Sequence, residues 1–354
     1  MQIDFHHAVT YVAARIAEFG HDEADIIAYA AQYVDDATCG GIIRFDNDAL
    51  YSRISSAHKA IDPRNLDDLE NLLVWMPFHF LPGNGGTDSK AKPEGWFINK
   101  LVSLHDSPVA REMLRYVIED RDRPYALHRL GIAMHVYADT WAHEGFAGVK
   151  NRINEVDNPR ETDRSGVFKN LADDLGSWLA EKFVPPLGHG RANILPDMPF
   201  LSWRYEDGYG KTISRDNTDI FCRAADAICR FMQEYRRHTD PAVQVTGIGG
   251  KDMSLIREMF SALKTKDGNE RHQSWVEAIR QGRFSFGPAT ISYAEEGENS
   301  WKAQALGGSD DFLKKYPYSD SFLTSNWKMF HDALQKHRLT VSHDVLPKFG
   351  ICAA

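Results

Sequence analysis

Apolar residues recur every three or four positions along most of the chain, a spacing that places them on one face of an α-helix. Several of these windows begin with an Asp, Ser or Asn suited to an N-cap. The predicted helices cover residues 22–34, 66–75, 108–118, 124–146, 167–183, 217–237, 253–263, 272–281 and 319–336. Strand signals are scarce, and turn-rich stretches at 81–95, 185–199 and 245–250 predict loops. The pattern therefore indicates a mainly helical protein with irregular connections.

Composition limits the class of protein. The chain has 354 residues, of which 43% are hydrophobic and 26% charged, as in ordinary globular proteins. Its 41 Lys and Arg against 50 Asp and Glu give a net charge of −9, so we expect no stable nucleic-acid complex. No apolar stretch approaches the roughly 18 residues of a membrane span. The composition leaves the oligomeric state undetermined.

The cellular location is predicted from the beginning of the chain and from its cysteines. The first twenty residues are interrupted by Asp4, His6, His7 and Arg15, so no secretory signal is visible. The four cysteines are far apart except for Cys222 and Cys229, and we expect them to be free thiols. These features predict a cytoplasmic protein, with export by a non-classical route left open.

The segment 131–146, GIAMHVYADTWAHEGF, carries the strongest chemical signal in the chain. His135, Asp139 and His143 follow one another at intervals of four residues within a helical window. At about 100° per residue they occupy bearings of roughly 0°, 40° and 80°, which is one narrow stripe of the helix. Imidazole and carboxylate donors suit zinc and related divalent ions. The alternative is a solvated polar stripe, which the apolar neighbours disfavour.

Four other segments contain residues of the same chemical types. His79 in MPFHFLPGN stands among large apolar residues, where an unpaired imidazole would be costly. His189 lies between two glycines, which allow a loop to bring a side chain close to a fixed point. Each residue taken alone is explained as well or better by a structural or solvated role. The complete set is Asp4, His6 and His7, Asp35 and Asp36, His79, and His189 with Asp197.

This order of residues resembles the zinc-dependent phospholipase C and single-strand nuclease superfamily. The shared features are a helical H-x3-D with a further His, a preceding helix ending in Asp, an intermediate His, an N-terminal His, and a later His with an acid. The HFLPG and GHG segments are similar to those of uncharacterised bacterial relatives. The resemblance implies an all-α multi-helix bundle with long loops. We expect residues 1–210 to form the metal-binding core, and residues 211–354 to form a helical part that completes the same domain or, alternatively, a separate helical module.

The resemblance also implies two or three zinc ions at the bottom of a cleft. Asp36 and Asp139 are the candidate catalytic carboxylates, because they would bridge ions and orient an activated water. The implied ligands are Asp36, His79, His135 and Asp139 for one ion, His143, His189 and Asp197 for a second, and Asp139 with His6 or His7 and Asp4 for a third. Sites with His and Asp donors also accept manganese, iron or nickel.

Such a site suits the hydrolysis of phosphoesters, because paired ions activate water and clamp both oxygens of an in-line displacement. The expected substrate is a small molecule, a lipid or a short nucleotide. Phe80 and Trp203 are candidate substrate-binding aromatic residues, with core packing as the alternative, and Arg191 is a candidate for contacting a phosphate. Two other functions stay open: hydrolysis of amides or carboxylic esters by the same activated water, and a non-catalytic helical scaffold with structural metal.

Overall fold

The computed structural model describes the chain except residues 59–61, 63, 65, 66, 90, 92, 163–186, 193, 312, 353 and 354. Helices form most of its secondary structure. The α-helices are α1 (Thr10–Ile16), α2 (His21–Asp36), α3 (Asp68–Phe78), α4 (Ile98–Leu101), α5 (Pro108–Glu119), α6 (Ala126–Ala142), α7 (Asn217–Arg237), α8 (Gly250–Ala262), α9 (Gly268–Arg280), α10 (Trp301–Leu306) and α11 (Asn326–Leu339).

Shorter helical turns flank several of these helices. A π-helical turn, Asp4–Val9, continues directly into α1, and another, Thr340–Val345, follows α11. The 3₁₀ helices are Asn84–Gly86, Arg152–Asn154, Leu195–Asp197, Asp320–Thr324 and Leu346–Phe349. Isolated π-turns of this kind occur often at functional sites. The first of them carries His6 and His7.

The prediction of an all-α fold is wrong, because the chain also forms two antiparallel sheets. The smaller sheet pairs β1 (Gly41–Arg44) with β2 (Leu50–Arg53). In the larger sheet β4 (Ser202–Asp207) lies between β3 (Val156–Glu161) and β5 (Thr212–Asp216). The fold is therefore mixed, with helices and strands.

The strands were missed because each is short and gives a weak signal of its own. In β4 the burial alternates, with Trp203 and Tyr205 inside and their neighbours more exposed, as expected for a strand with one buried face. β4 ends at Asp207, and the pair Asp207-Gly208 is a common hairpin-turn signal. In β3, Pro159 lies where the register with β4 shifts, and a proline conceals a strand because it cannot donate to the ladder.

Helices α2 and α6 form the central pair of the molecule, and a glycine sets their separation. A Cβ atom on Gly131 would lie only 2.3 Å from the carbonyl oxygen of Ile27 and 2.8 Å from the Cβ of Ala30. Glycine is therefore required where the two helices cross. This close approach brings the C-terminal end of α2 beside the His135 and Asp139 stripe of α6.

The largest hydrophobic cluster draws residues from both halves of the sequence. It joins α1, α5 and α6 to α7, α8 and α9, with aromatic residues such as Phe5, Phe221 and Phe260 in mutual contact. A second cluster packs α2 against α10 and α11, and a third lies between Phe146 and the β3–β4–β5 sheet. The site described below lies among these three clusters.

Most of the predicted helices correspond to observed ones within a few residues. The helix predicted at 217–237 has the same bounds as α7, and the one predicted at 319–336 is a 3₁₀ turn followed by α11. The helix predicted at 167–183 lies outside the described residues, and the one at 66–75 is described only from residue 67. Within the described part of the chain, no helix combines the length and hydropathy needed to span a bilayer.

Candidate metal centre

Five parts of the chain bring histidine and aspartate side chains to one buried place. Helix α6 supplies His135 and Asp139 and ends just before His143, as the helical spacing predicts. The end of α2 supplies Asp35, and the residue after α3 supplies His79. The N-terminal π-turn adds His6, and the loop and 3₁₀ turn before β4 add His189 and Asp197.

The first group surrounds one oxygen of Asp139. Its Oδ2 atom lies 3.3 Å from Nδ1 of His79 and 3.2 Å from Nε2 of His135. Oδ1 of Asp35 is 3.8 Å from each of these two nitrogens, which are 3.2 Å apart. Ligands of a tetrahedral zinc ion lie about 3.3 Å from one another when each is about 2.0 Å from the metal. The spacing therefore fits a single divalent ion.

Backbone carbonyl groups fix the tautomers of three histidines. Nδ1 of His135 donates to the carbonyl of Ala31 at 2.8 Å, and Nε2 of His79 donates to that of Ser56 at 2.9 Å. Nδ1 of His143 donates to the carbonyl of His79 at 2.8 Å. In each ring the other nitrogen is then left with a lone pair that faces the cluster.

These tautomers place two lone pairs against each other. Nε2 of His135 and Nδ1 of His79 are 3.2 Å apart, and neither carries a hydrogen to share. A carboxylate, Asp139, stands beside both. An all-acceptor arrangement in a buried place is unfavourable unless a cation lies among the donor atoms. The residues present thus fit a metal ion by their chemistry as well as by their spacing.

The second group consists of His143, His189 and Asp197. Nε2 of His143 is 3.6 Å from one oxygen of Asp197, and Nε2 of His189 is 3.5 Å from the other. Nε2 of His143 is buried and has no hydrogen-bond partner among the described residues. Oδ1 of Asp197 is also buried, and the Met1 amine lies 3.1 Å from it. A buried polar atom without a partner, such as Nε2 of His143, marks a place where a ligand is expected.

The loop that carries His189 requires a glycine. Gly188 has a φ of +53°, and a Cβ atom there would lie 2.2 Å from the ring of Phe80. The ring of Phe80 also stacks on His143, with centroids 4.6 Å apart. The loop can therefore pass close to this aromatic ring and place His189 beside His143 only because residue 188 has no side chain.

The second oxygen of Asp139 faces a third set of groups. Its Oδ1 atom lies 3.2 Å from Nε2 of His6 and 2.8 Å from the α-amino group of Met1, which is also 3.1 Å from Asp197. Neither ring nitrogen of His6 has a hydrogen-bond partner in the described part of the chain. The two oxygens of Asp139 thus face different groups, His79 and His135 on one side and His6 with the Met1 amine on the other.

The charges of the cluster are strongly coupled. Burial and the nearby carboxylate of Asp139 raise the pKa of Asp35 well above its usual range. Burial would lower the pKa of the Met1 amine, but the carboxylates of Asp139 and Asp197 outweigh it and raise the pKa to about 11. Burial lowers the pKa of His6 to about 4. The folded chain therefore concentrates carboxylates around neutral imidazoles, an arrangement that a divalent cation stabilises.

A cavity of about 850 Å³ opens over the cluster. Its described lining includes six carboxylates and one lysine, Lys266, and contains no arginine. Trp75 and Phe80 form an apolar part of its wall beside His79 and His143. Helix α9 and the segment around Tyr293 form the wall from the C-terminal half of the chain.

The structure brings together most, but not all, of the predicted ligands. Asp35 takes the place predicted for Asp36, whose carboxylate instead accepts hydrogen bonds from Tyr293 and Gln32 beside the cavity. Successive residues of a helix are rotated by about 100°, so Asp35 and Asp36 point in different directions. Asp35, four residues after Ala31, lies on the face of α2 that packs against α6. Asp36 therefore lines the cavity without entering the first group.

Two predicted N-terminal ligands face away from the cluster. Asp4 pairs with Arg271 at 2.6 Å, and both side chains are fully buried. Nδ1 of His7 lies 2.9 Å from Nε2 of His272. Of the three N-terminal candidates, the structure places only His6 among the groups that could hold a metal ion.

The predicted substrate-binding residues have different positions. Phe80 lines the cavity. Trp203 is fully buried in the core beneath β4, where its indole nitrogen donates to Asn217 at 3.3 Å. Arg191 lies 3.6 Å from Glu155 and is not part of the described cavity lining. The cavity lining also contains polar groups that the sequence had not assigned to an ion or a substrate, among them Asp35 and His272.

The fold and the site define a mainly helical protein with a buried cluster of His and Asp side chains at the base of a cavity. The chain belongs to DUF6765, a family of unknown function, whose match covers residues 1–345. No curated protein and no solved structure matches the chain. The function of this chain must therefore be inferred from the chemistry of the site itself.

Proposed function

We propose that this protein is a metal-dependent hydrolase of phosphoesters that uses two or three divalent ions, with zinc as the expected metal. The observation that carries the proposal is the set of three histidines whose far nitrogens donate to backbone carbonyls. Nε2 of His135, Nδ1 of His79 and Nε2 of His143 are thereby left as acceptors beside Asp139 and Asp197. Backbone bonds of this kind orient metal-ligating histidines in known metal sites.

The two main groups differ in how completely the chain surrounds them. The first has four donor groups, those of Asp35, His79, His135 and Asp139. The second has three among the described residues. Three protein ligands with one open position are typical of catalytic zinc. When bound, neighbouring ions would lower the pKa of a water and stabilise the attacking and leaving oxygens of an in-line displacement.

The cavity supports a small substrate or a short segment of a larger one. Its acidic lining without a described arginine disfavours a long polyanion, since such a chain would meet repulsion beyond the metal ions. Trp75 and Phe80 offer apolar surface beside the cluster. We therefore propose a lipid headgroup, a short nucleotide or a small phosphodiester as the substrate class.

We also propose a cytoplasmic location. All four cysteines are free, and Cys222 and Cys229 lie buried in the core without forming a disulfide. Free thiols are typical of reducing compartments. Fractionation of the native host cell, with detection by antibody, tests this location directly.

The function is tested by hydrolysis of bis(p-nitrophenyl) phosphate and p-nitrophenyl phosphorylcholine by the zinc-loaded protein. We expect release of nitrophenol that a chelator abolishes and added zinc restores. The Asp139→Asn variant should lose hydrolysis, whereas Asp216→Asn, at the N-cap of α7, serves as a matched control. Full activity in Asp139→Asn would contradict the proposal. A parallel panel of p-nitrophenyl acetate and amide substrates tests the alternative that the protein hydrolyses carboxylic esters or amides.

The four-ligand first group also supports a second candidate, a scaffold with structural metal, because closed four-ligand sites are typical of structural zinc. The same samples separate the two functions. Chelation that unfolds the protein, with no hydrolysis of any substrate in the panel, would favour the scaffold. Chelation that abolishes hydrolysis while the helical circular dichroism signal is kept would favour the hydrolase.

A further inference from the structure

Helix α9 forms the cavity wall contributed by the C-terminal half of the chain. Asn269, His272, Gln273 and Val276 line the cavity at spacings of three and four residues, which place them on one face of the helix. Arg271 is directed instead to the N-terminal segment, where it pairs with Asp4 at 2.6 Å. This fully buried ion pair attaches the wall to the segment that carries His6.

The contact between His272 and His7 leaves one nitrogen of His272 for the cavity. Nε2 of His272 lies 2.9 Å from Nδ1 of His7, which is fully buried. Among the described residues none hydrogen-bonds to Nδ1 of His272, and the side chain lines the cavity. Nδ1 is therefore the ring nitrogen that a bound molecule can meet.

The surroundings of His7 decide which atom carries the hydrogen. Nε2 of His7 is buried and has no hydrogen-bond partner in the described part of the chain. An orphaned N–H group is rarer in proteins than an under-satisfied acceptor. His7 should therefore carry its hydrogen on Nδ1 and donate it to Nε2 of His272, which in turn must carry its own hydrogen on Nδ1.

We infer that His272 donates its Nδ1 hydrogen to a phosphoryl oxygen of the bound substrate, and that His7 is the positioning residue that fixes this tautomer. The inference rests on the proposed function, since it assigns the chain's own donor to the substrate of that site. The described lining has no arginine, so this wall can meet phosphoryl oxygens only through Lys266 and neutral donors. Burial lowers the pKa of His272 to about 4, which keeps the ring neutral at pH 7.

The inference is tested by calorimetric titration of the zinc-loaded protein with inorganic phosphate. His272→Leu removes the donor, whereas His272→Asn keeps an amide N–H close to the position of Nδ1. Because a hydrogen bond to a charged group is at stake, we expect His272→Leu to weaken binding about ten-fold or more. His272→Asn should stay within about three-fold of wild type. His238→Asn, at an exposed histidine after α7, is the matched control, and zinc content should be equal in all four proteins.

Nitrogen-15 NMR of histidine-labelled, zinc-loaded protein tests the tautomer independently of binding. We expect the hydrogen of His272 on Nδ1, and His7→Phe should convert it to a mixture of tautomers. The inference would be overturned by equal loss of phosphate affinity in His272→Leu and His272→Asn, or by wild-type affinity in His272→Leu. It would also be overturned by an NMR spectrum that places the hydrogen on Nε2 of His272. If zinc-loaded wild-type protein binds no phosphate, both the proposed function and this inference fail. Tight binding that is unaffected by His272→Leu removes the inference alone.

Discussion

Replacing Gly131 with alanine should weaken both the fold and the metal centre, because this residue sets the separation of α2 and α6. The added Cβ would lie 2.3 Å from the carbonyl oxygen of Ile27, a backbone atom that cannot rotate away. Ordinary contacts between such atoms are about 3.5 Å, so the helices must separate by about 1 Å. Overpacking of this severity costs about 3 kcal/mol, and the better helix propensity of alanine returns about 1 kcal/mol. We expect a net loss of about 2 kcal/mol.

The same separation affects the ligands. His135 donates to the carbonyl of Ala31 on α2 at 2.8 Å, and a shift of about 1 Å would break this bond. Loss of such an orienting bond lowers metal affinity about ten- to hundred-fold. Urea unfolding measures the stability, and competition with a chromophoric chelator measures zinc affinity. Gly250→Ala is the control, since nothing lies within 4 Å of its added Cβ. Wild-type stability and affinity in Gly131→Ala would refute the reasoning.

Three further perturbations test other parts of the structure. Asp35→Asn should remove one metal ion per chain by elemental analysis, whereas Asp36→Asn should keep it; the reverse result would restore the sequence-based assignment. Burial, and to a smaller extent the charge of Arg53, lowers the pKa of His331 to about 3. Below pH 6.5 this histidine therefore binds a proton in the unfolded chain but stays neutral in the folded chain. The free energy of unfolding should therefore decrease as the pH is lowered. Between pH 6.5 and pH 5, urea unfolding of His331→Phe should show a decrease about 2 kcal/mol smaller than that of wild type. An equal decrease in the two proteins would contradict this role of His331. Removing one partner of a fully buried ion pair costs about 3–5 kcal/mol, so Asp4→Asn should be strongly destabilised in urea unfolding. The double variant Asp4→Leu with Arg271→Met should be much closer to wild type in stability. Wild-type stability in Asp4→Asn would show that the ion pair is not needed for the fold.

The sequence predicted well those parts of the site that depend on local periodicity. His135, Asp139 and His143 lie at intervals of four residues, and α6 does place the first two on one face and the third at its end. His79 and His189 were singled out by their immediate neighbours, a run of large apolar residues and a pair of glycines, but only the family resemblance assigned them to ions. Each of these signals is contained within a few residues, so no knowledge of the tertiary structure was needed.

The remaining parts depend on contacts between distant segments, which a local pattern does not reveal. The choice between Asp35 and Asp36 is decided by how α2 rotates against α6, and hence by the close crossing at Gly131. Asp4 and His7 find partners on α9, more than 260 residues away in the sequence. The strands were missed for a different reason: they have four to six residues each, too few for their alternation to stand out.

The most direct test of the metal centre is the number of ions per chain in purified protein reconstituted with zinc and freed of excess metal. The proposed function predicts two or three tightly bound ions in wild-type protein. His135→Ala should bind at least one fewer while it keeps its helical circular dichroism signal. Fewer than one ion per chain in correctly folded wild-type protein would contradict the proposed metal centre, and with it the hydrolase.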